Sequence, residues 1–139
     1  MNKLNKVSWI EFPVKQDRRG NLIAIEGDQT IPFSIKRIFY MNNVIEDRGG
    51  HAHMDTDQVI IAINGSFNVT LSDGNEKQIF KFNDSKKGLF VPKMIFTELF
   101  EFSSDAVCLV LANTHYDIGK SIRTWQEYLN YFEIENENF

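Results

Sequence analysis

The stretch Arg48-Gly49-Gly50-His51-Ala52-His53 holds two of the chain's three histidines, one residue apart, behind an arginine and a glycine pair. On a strand, residues i and i+2 project from the same face. The two imidazoles would then stand side by side, their backbones about 6–7 Å apart. Such a pair can ligate a metal, pass protons near neutral pH, or simply pack as polar residues at a strand end.

The elements that must position this pair are mostly short strands. Residues 7–12, 21–26, 35–41, 58–63, 66–71, 78–82, 89–91, 95–102 and 106–112 are apolar, β-branched or alternating, and turn residues separate them. Residues 42–50 read as the loop that delivers the chain to the histidines, with a strand expected from His53 onward. Residues 58–63 are almost continuously apolar, which predicts a strand buried on both faces. Asn64-Gly65 and Asp73-Gly74 are hairpin signals. Some eight to ten short strands of this kind predict an antiparallel sandwich or barrel. Only the end differs: Ile122, Trp125, Leu129 and Phe132 recur at helical spacing, predicting a helix over 121–132 with Ser121 as its N-cap. Residues 133–139 are acidic and are expected to be loose.

At 139 residues the chain is expected to form a single domain over 1–139, with a bulky core fed by 12 phenylalanines. A net charge of −4 argues against general nucleic-acid or anionic-membrane binding. An anionic ligand would therefore need a local cluster of arginines. The single cysteine, Cys108, lies in an apolar run and reads as a buried thiol. No signal-peptide core and no span-length apolar stretch is visible, so a cytoplasmic protein is expected.

Gly50-His51-Ala52-His53, four residues, Gln58, six residues and Gly65 resemble the first cupin motif, His-x-His…Glu…Gly. The second motif would run from Gly88 through Pro92. Against the metal-binding pattern, Gln58 occupies the glutamate position and Thr97 the third-histidine position. Two imidazoles with an amide and a hydroxyl are a poor transition-metal set, so no metal is expected.

More of the chain resembles one cupin subset, the nucleotide-sugar 3,4-ketoisomerases acting on dTDP-4-keto-6-deoxyglucose. The resemblance rests on Asp17 to Leu22, Pro32 to Tyr40, Arg48 to His53, Phe102 to Asp105 and Tyr116-Asp117. It implies a cupin-type antiparallel jelly-roll β-barrel with a short C-terminal helix, forming homodimers. It also implies a site without metal or other cofactor, and a place in making 3-amino-3,6-dideoxy sugars for surface polysaccharides.

The residues suit that chemistry. A ketone at C4 acidifies the hydrogen on C3, and moving the ketone to C3 through an enediol(ate) needs only proton carriers. No Gly-x-Gly-x-x-Gly nucleotide loop or phosphate loop is present. His51 is expected as the principal base with His53 beside it, and the resemblance puts Tyr40 on a neighbouring strand, able to serve the developing enediolate oxygen. By the same resemblance Arg19, Arg37 and Arg48 are candidate clamps for the diphosphate, with Gln58 and Thr97 also against the substrate. Arg18 and Arg123 read as structural or surface residues. Rival readings are a dTDP-4-keto-6-deoxyhexose 3,5-epimerase, a non-catalytic ligand-binding cupin and a metal dioxygenase.

Overall fold

The apolar run at 58–63 is continuous because its strand has a core on each side. The computed structural model describes residues 3–137. In it, β1 (Ser8–Glu11), β4 (Arg37–Asn42), β6 (Gln58–Asn64), β9 (Lys87–Val91) and β11 (Val107–Ala112) form one antiparallel sheet in the order β1-β9-β6-β11-β4. A second sheet, ordered β12-β5-β10-β7-β8, comprises β5 (Arg48–His53), β7 (Phe67–Ser72), β8 (Lys77–Phe82), β10 (Phe96–Phe100) and β12 (Ser121–Ile122). A separate hairpin joins β2 (Val14–Asp17) to β3 (Gly20–Ile23).

Ile60 and Ala62 face inward and pack with Val69, Leu71, Leu89, Leu99 and Val110. Val59 and Ile61 face outward and pack with Phe12, Ile31, Phe33 and Leu111. Residues between β1 and β4 thus cover the outer face of the first sheet. This is the antiparallel cupin-type architecture the sequence predicts.

Several expectations need correction. Asn64-Gly65 makes no hairpin: β6 pairs with β9 and β11, β7 with β8 and β10, so this turn carries the chain from one sheet to the other. Asp73-Gly74 does close the β7–β8 hairpin, and Asp73 Oδ1 accepts the Asn75 and Glu76 backbone N–H groups. The strand carrying the histidines lies before His53, not after it. Strands β2 and β12 are too short and polar to show periodicity.

The helix α1 (Trp125–Glu137) starts later than its apolar spacing implies. Ser121 and Ile122 pair first with His53 and Ala52 of β5. Thr124, not Ser121, caps the helix, its Oγ1 accepting the Glu127 N–H at 3.1 Å. The backbone stays helical through Glu137, where loose chain is expected; residues 138–139 lie outside the described ones. Tyr128 is the fully buried residue of the helix face, packed with Ala52, Met94, Phe96 and Ile122. Among the described residues, no helix is long and apolar enough to cross a membrane.

Candidate active site

A bulge in β5 assembles the site. Across from β10, His51 pairs with Thr97 and Gly49 with Glu98, leaving Gly50 as the extra residue. Both glycines take left-handed backbone, at φ +91° and +74°, which a glycine adopts at little cost. A bulge re-aims the side chains around it. Arg48 and His51 lie an odd number of residues apart, yet both reach one cavity of about 400 Å³ between the two sheets, together with His53.

The far end of β5 is held from three directions. Met94 N–H donates to His53 O at 2.7 Å, Met54 N–H donates to Lys120 O at 2.8 Å, and β12 pairs with His53 and Ala52. Behind them the buried Tyr128 hydroxyl lies 2.7 Å from Met94 O and 3.1 Å from Ser72 O. The dyad therefore sits on a tethered strand.

The imidazole rings lie edge to face, centroids 5.2 Å apart. Burial pushes both away from the charged form. His53 is pushed down to about 4, by burial first and then by the His51 ring and Arg37. His51 is lowered by burial and by the Arg123 and Arg48 charges, against a hydrogen bond with the Gly49 backbone that raises it. Both rings are thus neutral and basic at pH 7 before an anion enters.

The sign of the pH dependence follows. A base must be neutral to act, so kcat/KM should stay level on acidification past the ordinary imidazole value of 6.5 and fall only below it. An anion beside the arginines favours imidazolium, so the limb in kcat should lie at higher pH than the limb in kcat/KM. Initial-rate pH profiles read both. The depressed His53 also contributes stability that is present above about 6.5 and lost as pH falls towards about 4.

Arg37, Arg48 and Arg123 line the same cavity. No described carboxylate pairs with any of them. The Arg37 guanidinium lies 5.4 Å from the Tyr116 ring centroid and 5.5 Å from that of Phe39, and Arg123 Nη2 approaches the Tyr116 hydroxyl at 3.5 Å. In an acidic chain, three converging guanidiniums without carboxylate partners are suited to a ligand carrying more than one negative charge. Arg37 Nε and Gln58 Nε2 are buried and have no hydrogen-bond partner among the described protein atoms.

Of the sequence-predicted residues, the cavity gathers His51, His53, Arg37, Arg48, Gln58 and Thr97. Tyr40 reaches only its rim. Burial alternates along β4, so Tyr40 shares the outer face with Ile38 and Asn42 and is 65% exposed. Arg19 is not brought in: it sits on the β2–β3 hairpin with its side chain 83% exposed, paired to Asp17 at 2.7 Å. Sequence reasoning missed Arg123 and gave Tyr116 no role. Both flank β12, whose pairing to β5 carries them to the cavity mouth, and a two-residue strand leaves no periodic signal.

The donor set does not fit a transition metal. Gln58 and Thr97 join the imidazoles on the cavity wall, and among the described residues no three His, Cys, Asp or Glu side chains converge. What the arrangement can do is bind an anion at its mouth and exchange protons with a group held against β5.

The sequence matches the family described as FdtA: WxcM-like, C-terminal, over residues 5–133. It is 42% identical over 129 residues to the TDP-4-oxo-6-deoxy-alpha-D-glucose-3,4-oxoisomerase of Aneurinibacillus thermoaerophilus, covering 91% of each chain. The fold is similar to the sugar 3,4-ketoisomerase QdtA of Thermoanaerobacterium thermosaccharolyticum in complex with TDP. That match has a TM-score of 0.90 and 36% identity, over 95% of this chain and 98% of that one. A histidine-to-asparagine variant of QdtA in complex with TDP-4-keto-6-deoxyglucose superposes with a TM-score of 0.87 at 36% identity, over 90% and 92% of the two chains. A 3,4-ketoisomerase from Helicobacter canadensis matches with a TM-score of 0.88 and 37% identity, over 91% and 97%.

Proposed function

The chain belongs to the FdtA, WxcM-like C-terminal family, and on that premise we propose that it isomerises dTDP-4-keto-6-deoxyglucose to the 3-keto sugar by histidine acid–base catalysis. The observation that carries the reading is one cavity holding two neutral imidazoles and three arginines without carboxylate partners. The imidazoles serve the sugar, the arginines the diphosphate.

The reaction balances without an outside oxidant. His51 takes the C3 proton; the C3–H electron pair becomes the C3=C4 double bond, and the C4 carbonyl pair moves to O4. The proton on O3 passes to O4, and C4 receives a proton from imidazolium. C3–H and O3–H are lost and C4–H and O4–H are formed. C3 is oxidised as C4 is reduced. His53, beside His51, relays protons or holds O3 and O4. Tyr40, at the rim, serves the enediolate oxygen only after turning inward from the outer face of β4.

Burial of the rings supports the step by keeping both imidazoles neutral at pH 7, the form that accepts a proton. Gln58 Nε2 and Arg37 Nε lie buried where they can donate to sugar or phosphate oxygens. Thr97, opposite His51 in register, bounds the sugar on the β5 side. In the same proposal the protein is a homodimer, with β1 on the edge of the first sheet available to a second copy; sedimentation equilibrium reads its mass. The 3-keto product is of the kind a transaminase would convert to a 3-amino-3,6-dideoxy sugar.

Locating the ketone carbon by carbon NMR after incubation with dTDP-4-keto-6-deoxyglucose tests the assignment. The anion site has its own test. A charge-assisted hydrogen bond contributes about 1.5–3 kcal/mol, and about 1.4 kcal/mol is tenfold in affinity. Arg123→Gln is therefore expected to weaken dTDP binding roughly 10- to 100-fold while leaving thymidine binding unchanged, as read by calorimetry. Equal losses for both ligands would place Arg123 elsewhere than against the diphosphate.

A further inference from the structure

Resting on that reading, we propose that Tyr128, although outside the cavity, is a positioning residue for the proton transfer: its hydroxyl holds Met94 in the backbone conformation that fixes His53. Met94 is the strained link. Its φ is +66°, left-handed backbone that a residue with a Cβ adopts only at a cost. Such a conformation persists where its surroundings impose it, and residues of this kind gather at functional sites. Two hydrogen bonds grip Met94. Its N–H donates to His53 O at 2.7 Å, and its carbonyl accepts the Tyr128 hydroxyl at 2.7 Å. One hydroxyl proton cannot serve two carbonyls equally, and Ser72 O lies farther away, at 3.1 Å.

The packing behind the dyad joins the same residues. Ala52, between the two histidines, turns to the opposite face of β5 and is fully buried against a cluster of Met94, Phe96, Ile122 and Tyr128. Tyr128 is itself fully buried, and burial and the Asp73 charge keep its hydroxyl protonated, hence a donor. Neither Tyr128 nor Met94 lines the cavity. Their influence on the reaction therefore runs through the His53 backbone and not through contact with the sugar.

Tyr128→Phe removes only the donor and keeps the ring that packs on Phe96, Trp125 and Phe132. Its kcat is expected to fall roughly ten- to a hundredfold, because a displacement of about 1 Å at a reacting group can cost about a hundredfold. Affinity for dTDP should stay unchanged. Phe132→Leu is the matched control: it thins the same cluster without touching the hydroxyl, so it should lower stability and leave kcat in place.

NMR of the His53 imidazole supplies a readout that needs no turnover. The ring is held down to about 4 by burial, His51, Arg37 and Arg123, against Asp55, which raises it. Once released from its place it should titrate closer to the ordinary 6.5 in Tyr128→Phe and stay low in Phe132→Leu. Wild-type kcat in Tyr128→Phe, equal losses of kcat in both variants, or an unmoved His53 titration overturns the proposal. If the wild-type protein forms no 3-ketone, the isomerase reading fails, and the His53 titration still decides whether the hydroxyl positions that ring.

Discussion

Replacing His51 by asparagine is expected to lower turnover of dTDP-4-keto-6-deoxyglucose by about a hundred- to ten-thousand-fold, the range that a positioned acid–base group contributes. Asparagine keeps a side chain of similar reach that can still hydrogen-bond the Gly49 backbone, so β5 should hold its place. Affinity for dTDP should stay within a few fold, because the guanidiniums assigned to the diphosphate come from β4, the start of β5 and the segment after β12. His53→Asn should cost less than His51→Asn if His51 is the base at C3, and steady-state rates with calorimetric dTDP titration measure both. Unchanged turnover in His51→Asn would remove the dyad from the chemistry. Lost dTDP binding would mean that His51 shapes the site instead of working in it.

The bulge residues give the second large effect. A Cβ on Gly49 would lie 2.7 Å from Thr97 O and 3.1 Å from Leu99 Cδ1, and its φ of +91° is one that side chains rarely tolerate. Left-handed backbone costs an ordinary residue about 1–2 kcal/mol, and forced overpacking adds about 1–3 kcal/mol. Gly49→Ala is thus expected to destabilise by about 2–5 kcal/mol and to push β5 away from β10, taking His51 with it. Gly50 shares the left-handed backbone but a Cβ there meets nothing within 4 Å. Gly50→Ala should pay only the conformational cost and keep most of its activity. Urea unfolding with parallel assays separates the two; equal losses at both positions would mean that close approach to Thr97 is irrelevant.

The sequence was most legible where side-chain type alone decided the outcome. The apolar run of β6 announced a strand buried on both sides, and β6 has core clusters on both of its faces. Residue identities alone also singled out His51, His53, Gln58 and Thr97, and all four line one cavity. Placement that depends on pairing was hidden. Asn64-Gly65 looks the same whether it closes a hairpin or passes between sheets, because the turn is local and the pairing is not. Arg123 looked like a surface residue beside a helix, since β12 is defined by its partner β5 and not by its own two residues. Arg19 is the reverse case: its type suits a phosphate, and its place at a hairpin tip, outside the cavity, pairs it with Asp17. Tyr128 stands outside the apolar spacing that runs from Ile122, and Ile122 is buried as part of β12 and not of the helix face.

The central claim is that the imidazoles move the ketone from C4 to C3. Incubation with dTDP-4-keto-6-deoxyglucose in deuterated water, followed by NMR, tests it directly. The predicted product carries its ketone at C3 with C5 unlabelled, and deuterium at C4 reads how far the imidazolium exchanges with solvent before it returns its proton. A ketone remaining at C4 with deuterium at C3 and C5 would contradict the account and make the enzyme a 3,5-epimerase.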